Sequence, residues 1–90
     1  MNVLWTDGAV NSLRAIRHYI QADNPHAAKK VADRIESAVQ QLELFPNSGR
    51  LGMRAGTREL VIAGLPYVVV YRVEKDVQIL RVFHDKQQRS

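Results

Sequence analysis

Tyr67-Val68-Val69-Val70-Tyr71 is apolar at five consecutive positions, and this run constrains the fold more than any other feature. A strand with one solvated face alternates apolar and polar residues, so a run without alternation belongs to a strand covered on both faces. If Tyr67, Val69, Tyr71 and Val73 face a covering layer, Val68, Val70 and Arg72 face the other way. Ile79, Arg81 and Phe83 of the next strand are then their expected neighbours. That second face is either shielded by the curvature of the sheet and its loops, or left as a part-apolar groove fringed by arginine that a partner fills.

The cover comes from the N-terminal half. Between about Asp7 and Ala22, Val10, Leu13, Ile16 and Ile20 recur at helical spacing, and Thr6-Asp7 is suited to capping their N-terminal end. Asn24-Pro25 supplies a second cap with proline at the first helical position. Val31, Ile35, Val39 and Leu42 form the stripe of a helix running to about Leu44, and Ala27, Ala28, Ala32 and Ala38 allow close packing. Two amphipathic helices joined by so few residues predict an antiparallel hairpin.

Phe45-Pro46-Asn47-Ser48-Gly49 ends the second helix, and a basic loop with further glycines follows to Gly56. Strand chemistry then occupies 58–63, 67–73 and 77–83, separated by turns at Gly64-Leu65-Pro66 and Glu74-Lys75-Asp76. With a short strand at 2–5, the expected order is β-α-α-β-β-β. This is an α+β fold with the helical hairpin on one face of a twisted antiparallel sheet. Ninety residues suffice for one core and not two, so residues 1–90 are expected to form a single domain.

Charge is distributed unevenly. Residues 1–49 carry five basic and five acidic side chains, whereas residues 50–90 carry eight basic against four acidic, which accounts for the whole net charge of +4. The asymmetry favours an acidic partner, nucleic acid or peptide, over an even solvated surface. No run approaches the apolar length of a membrane span and the N-terminus lacks a signal-peptide pattern, so no membrane association and a cytoplasmic location are expected. Cysteine is absent, which removes disulfides and thiolate chemistry.

His18, His26 and His84 share no spacing that would bring them to one metal, and no phosphate-cradling or nucleophile motif is present, so no metal or cofactor is expected. Glu59 and His84, on adjoining strands or their ends, could in principle serve acid-base chemistry with arginines steadying phosphate. The simpler role for Glu59 is a surface salt bridge to a neighbouring arginine.

The segments VLWTDGAVNSLRAIRHYI, LELFPNSGRLG, GTRELVIAGLPYVVVYRV and VQILRVFHDKQ resemble the ParE branch of the RelE/ParE toxin superfamily, from Trp5 to Gln87. The resemblance implies the fold just described. It also implies a toxin of a type II toxin-antitoxin system of the plasmid-stabilisation kind, held by a ParD-like antitoxin in a hetero-oligomer. ParE-type members are described as poisoning DNA gyrase, with no established catalytic set. RelE-type members cut ribosome-bound mRNA with basic side chains, and those positions fall here on Glu59, Val61 and Val68. Two valines cannot transfer protons or stabilise a pentavalent phosphorane. Should the chain be a nuclease, Glu59, Arg81, His84 and Lys86 are the candidates, the last two lying where some nucleases keep a C-terminal catalytic group. Asp85 departs from the glycine of the ParE pattern, and no aromatic residue follows Gln87.

Two further surfaces are expected. An antitoxin segment is expected across Val61, Val68, Val70 and Ile79, or in the neighbouring helix-sheet groove, with acids meeting Arg72 and Arg81. Target contact is expected through Arg50, Arg54, Arg58, His84 and Lys86. A ribosome-dependent ribonuclease and an inactive, toxin-like binding module are the alternatives to gyrase inhibition.

Overall fold

The computed structural model describes residues 1–87. Strand β1 (Val3–Trp5) leads into helix α1 (Asp7–Gln21), and α2 (Pro25–Gln40) continues into a 3₁₀ turn at Gln41–Glu43. Strands β2 (Arg50–Leu51), β3 (Thr57–Val61), β4 (Tyr67–Val73) and β5 (Val77–His84) follow, and a 3₁₀ turn at Asp85–Gln87 ends the described chain.

The helix starts fall where the cap residues place them. Thr6 Oγ1 accepts the Ala9 N–H at 3.2 Å, and Asn24 Oδ1 accepts the Ala27 N–H at 3.1 Å with Pro25 opening α2. Each cap satisfies one of the donors that a helix start leaves without an internal partner. Leu13, Ile35, Val39 and Leu42 are buried on the facing stripes, and Ala9, Ala28 and Ala32 let the layers approach closely. Val10, expected in the α1 stripe, is 38% exposed, and Ala9 occupies the buried position beside it.

The sheet order is β1-β5-β4-β3-β2, so β4 lies at its centre, as its unbroken apolar run requires. Two details differ from the expected antiparallel sheet. Strand β1 pairs parallel with β5, because the chain crosses over through both helices and the meander before returning beside it. The basic loop also contributes β2, a two-residue edge strand antiparallel to β3.

The strand faces follow alternation until a bulge interrupts it. Val70 pairs with Arg81 but Tyr71 pairs with Ile79, leaving Leu80 as an extra residue in β5. A bulge of one residue reverses which face the following side chains occupy. Ile79 is therefore fully buried against the helices and not beside Arg81, which corrects the expectation that Ile79, Arg81 and Phe83 share the outer face. Side-chain hydroxyls from the cap and early turns of α1 hold the bulge: Thr6 Oγ1 donates to Ile79 O at 2.7 Å, and Ser12 Oγ accepts the Val82 N–H at 2.8 Å.

Candidate partner-binding site

On the sheet face away from the helices, cross-strand pairing places Thr57, Glu59 and Val61 of β3 opposite Arg72, Val70 and Val68 of β4. Val68 and Val70 in turn lie opposite Phe83 and Arg81 of β5. The two ends of this face differ. At one end Val68 and Phe83 are only 2% and 5% exposed, Phe83 being covered by the Arg81 guanidinium 4.7 Å from its ring centroid. At the other end the face opens into a groove of about 470 Å³. Val70, Leu80 and Met53 give it an apolar floor and wall, and Arg54, Arg72 and Arg81 rim it. Both readings of the second face thus hold, each over part of its length.

The acid in this groove is already paired. Arg50 and Glu59 are register partners, and Arg50 Nε and Nη2 lie 3.0 and 2.8 Å from Glu59 Oε1. The expected salt bridge of Glu59 is present, but Glu59 is buried at 8% exposure and is not a surface residue. Its proposed partnership with His84 is not formed. Strand β4 separates the two, Glu59 aligns through Val70 with Arg81, and His84 pairs with Tyr67 at the strand end, on the opposite face. There the His84 ring meets Tyr67 edge-on at 5.4 Å and its Nδ1 accepts the Lys86 N–H. Burial raises the Tyr67 hydroxyl above its ordinary pKa of 10.0, and Tyr19 adds to the shift.

The remaining expected contact residues divide by role. Arg58 donates to Asn47 O and Gly49 O at 3.2 and 2.8 Å, so its guanidinium braces the loop before β2. Arg54 is exposed in a turn closed by Thr57, whose hydroxyl donates to Arg54 O at 2.7 Å. Arg50, Arg54 and Arg58 therefore belong to the β2–β3 end of the sheet, while His84 and Lys86 lie at the end of β5. The five do not form one surface. Val68 and Ile79 are too buried to touch a partner, Val61 is exposed, and Arg54, predicted for the target, joins Arg72 and Arg81, predicted for the antitoxin, in one groove. Met53 and Leu80 were missed: one looks like loop filler in sequence, and the other reaches this groove through the bulge.

A second concavity, of about 430 Å³, runs along α1 beside Trp5, Leu13, Arg14 and Arg17, and Glu36 of α2 also lines it. Among the described residues no helix is long and apolar enough to cross a membrane, and no three His, Asp or Glu side chains are grouped to hold a metal ion.

A helical hairpin on one face of a five-stranded mixed sheet, with a cationic groove on the other, is an α+β architecture found in a known toxin class. Residues 3–89 match the family model described as ParE toxin of type II toxin-antitoxin system, parDE. The chain belongs to this family. It is 46% identical over 86 residues to the toxin-designated protein Y4kP of Sinorhizobium fredii, covering 96% of this chain and 90% of that one. Toxin RelE2 of Caulobacter vibrioides is 42% identical over 83 residues, covering 91% and 92%. A chain from the solved chromosomal ParDE system of P. aeruginosa superposes with a TM-score of 0.83 at 32% identity, covering 93% of this chain and 95% of that one. Membership implies an antitoxin as partner.

Proposed function

We propose that this ParE-family toxin acts in the cytoplasm by arresting DNA gyrase and is silenced by a cognate ParD-like antitoxin. The observation that carries the choice of target is the state of the outer sheet face. The resemblance aligns the RelE-type basic positions with Glu59, Val61 and Val68. Here one is a carboxylate engaged by Arg50, one an exposed isopropyl group and one a buried isopropyl group. None of them supplies the cationic acid-base chemistry that phosphodiester cleavage demands. The same face offers arginines whose charge suits binding. The test is supercoiling of relaxed DNA by gyrase with the purified chain added, run beside primer extension on message from a translating extract. Inhibited supercoiling with intact message supports the reading; intact supercoiling with positioned message cuts overturns it.

A second reading, ribosome-dependent mRNA cleavage, draws on the similarity to toxin RelE2 and on the presence of Glu59, Arg72 and Arg81 in one groove. It requires Glu59 to leave Arg50 and act as a base, so Glu59→Gln would abolish message cuts under this reading and leave gyrase inhibition unchanged under the first.

A further inference from the structure

The segment that joins α2 to β2 crosses the helix-side face of the sheet from one edge to the other. It starts beside β1, where the Met1 amine donates to Glu43 O at 3.3 Å, and it ends in β2, the opposite edge strand. The buried Tyr71 hydroxyl holds its middle through Pro46 O and Gly49 N, and Arg58 holds Asn47 O and Gly49 O. The Leu44 and Phe45 N–H groups donate to Gln41 O at 3.1 and 2.9 Å, and the Ser48 N–H donates to Phe45 O at 3.1 Å. The backbone is therefore fixed, yet Leu44 and Phe45 are 76% and 59% exposed. Leu51, the register partner of Arg58 and so on the same face, is 78% exposed. Large apolar side chains held in water by a bonded backbone form a strip that gains stability when covered.

The charge at the two ends of this strip selects what covers it. Beside its start lie Glu43 and the β4–β5 turn, where Glu74 and Asp76 flank Lys75; the Val77 N–H donates to Asn2 O and keeps that turn next to the start of β1. Beside its finish lie Arg50, Arg54 and Arg58, with Glu59 as the acid. A nucleic acid, an anionic lipid surface or an acidic peptide laid along the strip is attracted at one end and repelled at the other. A second copy of this chain, turned by a two-fold rotation, sets acidic end on basic end twice while the apolar middles meet. Arg72 and Arg81 lie on the other face of the sheet, so the groove they rim stays open in such a pair.

We infer that two copies of this chain pair through this strip, with Leu44, Phe45 and Leu51 at the centre and the β4–β5 turn of each copy against the β2–β3 end of the other. The inference goes beyond the reading of this chain as a gyrase toxin and does not depend on it. The apolar contacts supply the attraction, and the opposed charges fix the antiparallel orientation, because a parallel overlay sets arginine on arginine.

Sedimentation velocity of the purified full chain, across the micromolar to millimolar range and without antitoxin or gyrase, tests the pairing. The parent is expected to pass from monomer to dimer as concentration rises. Phe45→Ser and Leu51→Ser, both at exposed positions, are each expected to weaken the dimer about tenfold or more, whereas Val61→Ser, exposed at the far end of β3, leaves it unchanged. Charge reversal gives the sharper result. Glu74→Arg makes both ends basic and Arg54→Glu makes both more acidic, so each variant alone should dimerise less than the parent, and an equal mixture of the two should pair better than either. Thermal melts that match the parent exclude unfolding as the cause. A parent that stays monomeric throughout, a dimer indifferent to Phe45→Ser, or a mixture that pairs no better than its components would each overturn the inference. So would a monomeric parent that sediments with anionic lipid vesicles or a duplex oligonucleotide through Phe45, which would assign the strip to that partner instead. Gyrase inhibition is read separately and is untouched by either result.

Discussion

The hydroxyl of Tyr71, at the centre of the sheet, accepts the backbone N–H of Gly49 at 2.8 Å, and the same oxygen donates to Pro46 O at 2.8 Å. One fully buried phenol thereby anchors the segment that leads from α2 to the edge strand, and Arg58 braces it from β3. Gly49 is required by proximity: a Cβ there would lie 2.7 Å from the Tyr71 hydroxyl and 2.8 Å from Glu59 O. Tyr71→Phe leaves those backbone groups unpaired and is expected to destabilise the fold by about 1–3 kcal/mol. Gly49→Ala forces the loop off the sheet. Urea denaturation measures both, and a Tyr71→Phe midpoint equal to the parent's would contradict the anchoring role.

The Arg50–Glu59 pair holds β2 against β3. Glu59 is buried but the Arg50 side chain is 53% exposed, so water screens the pair and its loss costs less than that of a fully buried one. Arg50→Ala is expected to lower stability by about 1–2 kcal/mol. In the Arg50→Ala, Glu59→Leu double variant no charge is left without its partner, and it should recover most of that loss. A double variant no more stable than Arg50→Ala would show that the ion pair is not what the single substitution removes.

Thr6 ties the start of α1 to the β5 bulge, accepting from Ala9 N and donating to Ile79 O. Thr6→Val keeps the shape and removes both bonds, at an expected cost of about 1–2 kcal/mol. Amide exchange at Ala9 should accelerate in this variant more than exchange in the middle of α2; uniform acceleration would indicate a global effect instead.

Stability should also fall on the alkaline side. Burial raises the Tyr67 hydroxyl above 10.0, so the folded state favours the neutral phenol. Its contribution is complete below pH 10 and is lost as pH rises through the folded value, because the unfolded chain ionises first. Tyr67→Phe removes this ionisation, and its stability should decline less between pH 9 and 11 than the parent's. Parallel curves would exclude Tyr67 as a source of the alkaline loss.

The outer-face groove can be tested directly against the proposed target. If the target engages Arg54, Arg72 and Arg81, Arg81→Gln should inhibit supercoiling less than the parent chain at the same concentration. Equal inhibition by the two would exclude Arg81 from the target contact.

Local sequence decided the helices, their caps, the turns and the central place of β4, because each depends on neighbours a few residues apart: Thr6 on Ala9, Asn24 on Ala27, and proline and glycine on their own backbones. The resemblance of the motifs to a family was legible in the same way, from contiguous segments. The groove was legible only in part. Arg72 and Arg81 followed from alternation, but the side of the sheet on which Ile79 lies depends on a bulge whose contacts to Thr6 and Ser12 span about seventy residues of chain. The withdrawal of Arg50 and Arg58 from the free cations depends likewise on partners brought close by folding, Glu59 in one case and the carbonyls of Asn47 and Gly49 in the other. Periodicity carries no information about such pairings. A guanidinium reads as free charge along the chain until the tertiary fold sets a carboxylate or carbonyl within hydrogen-bond reach of it.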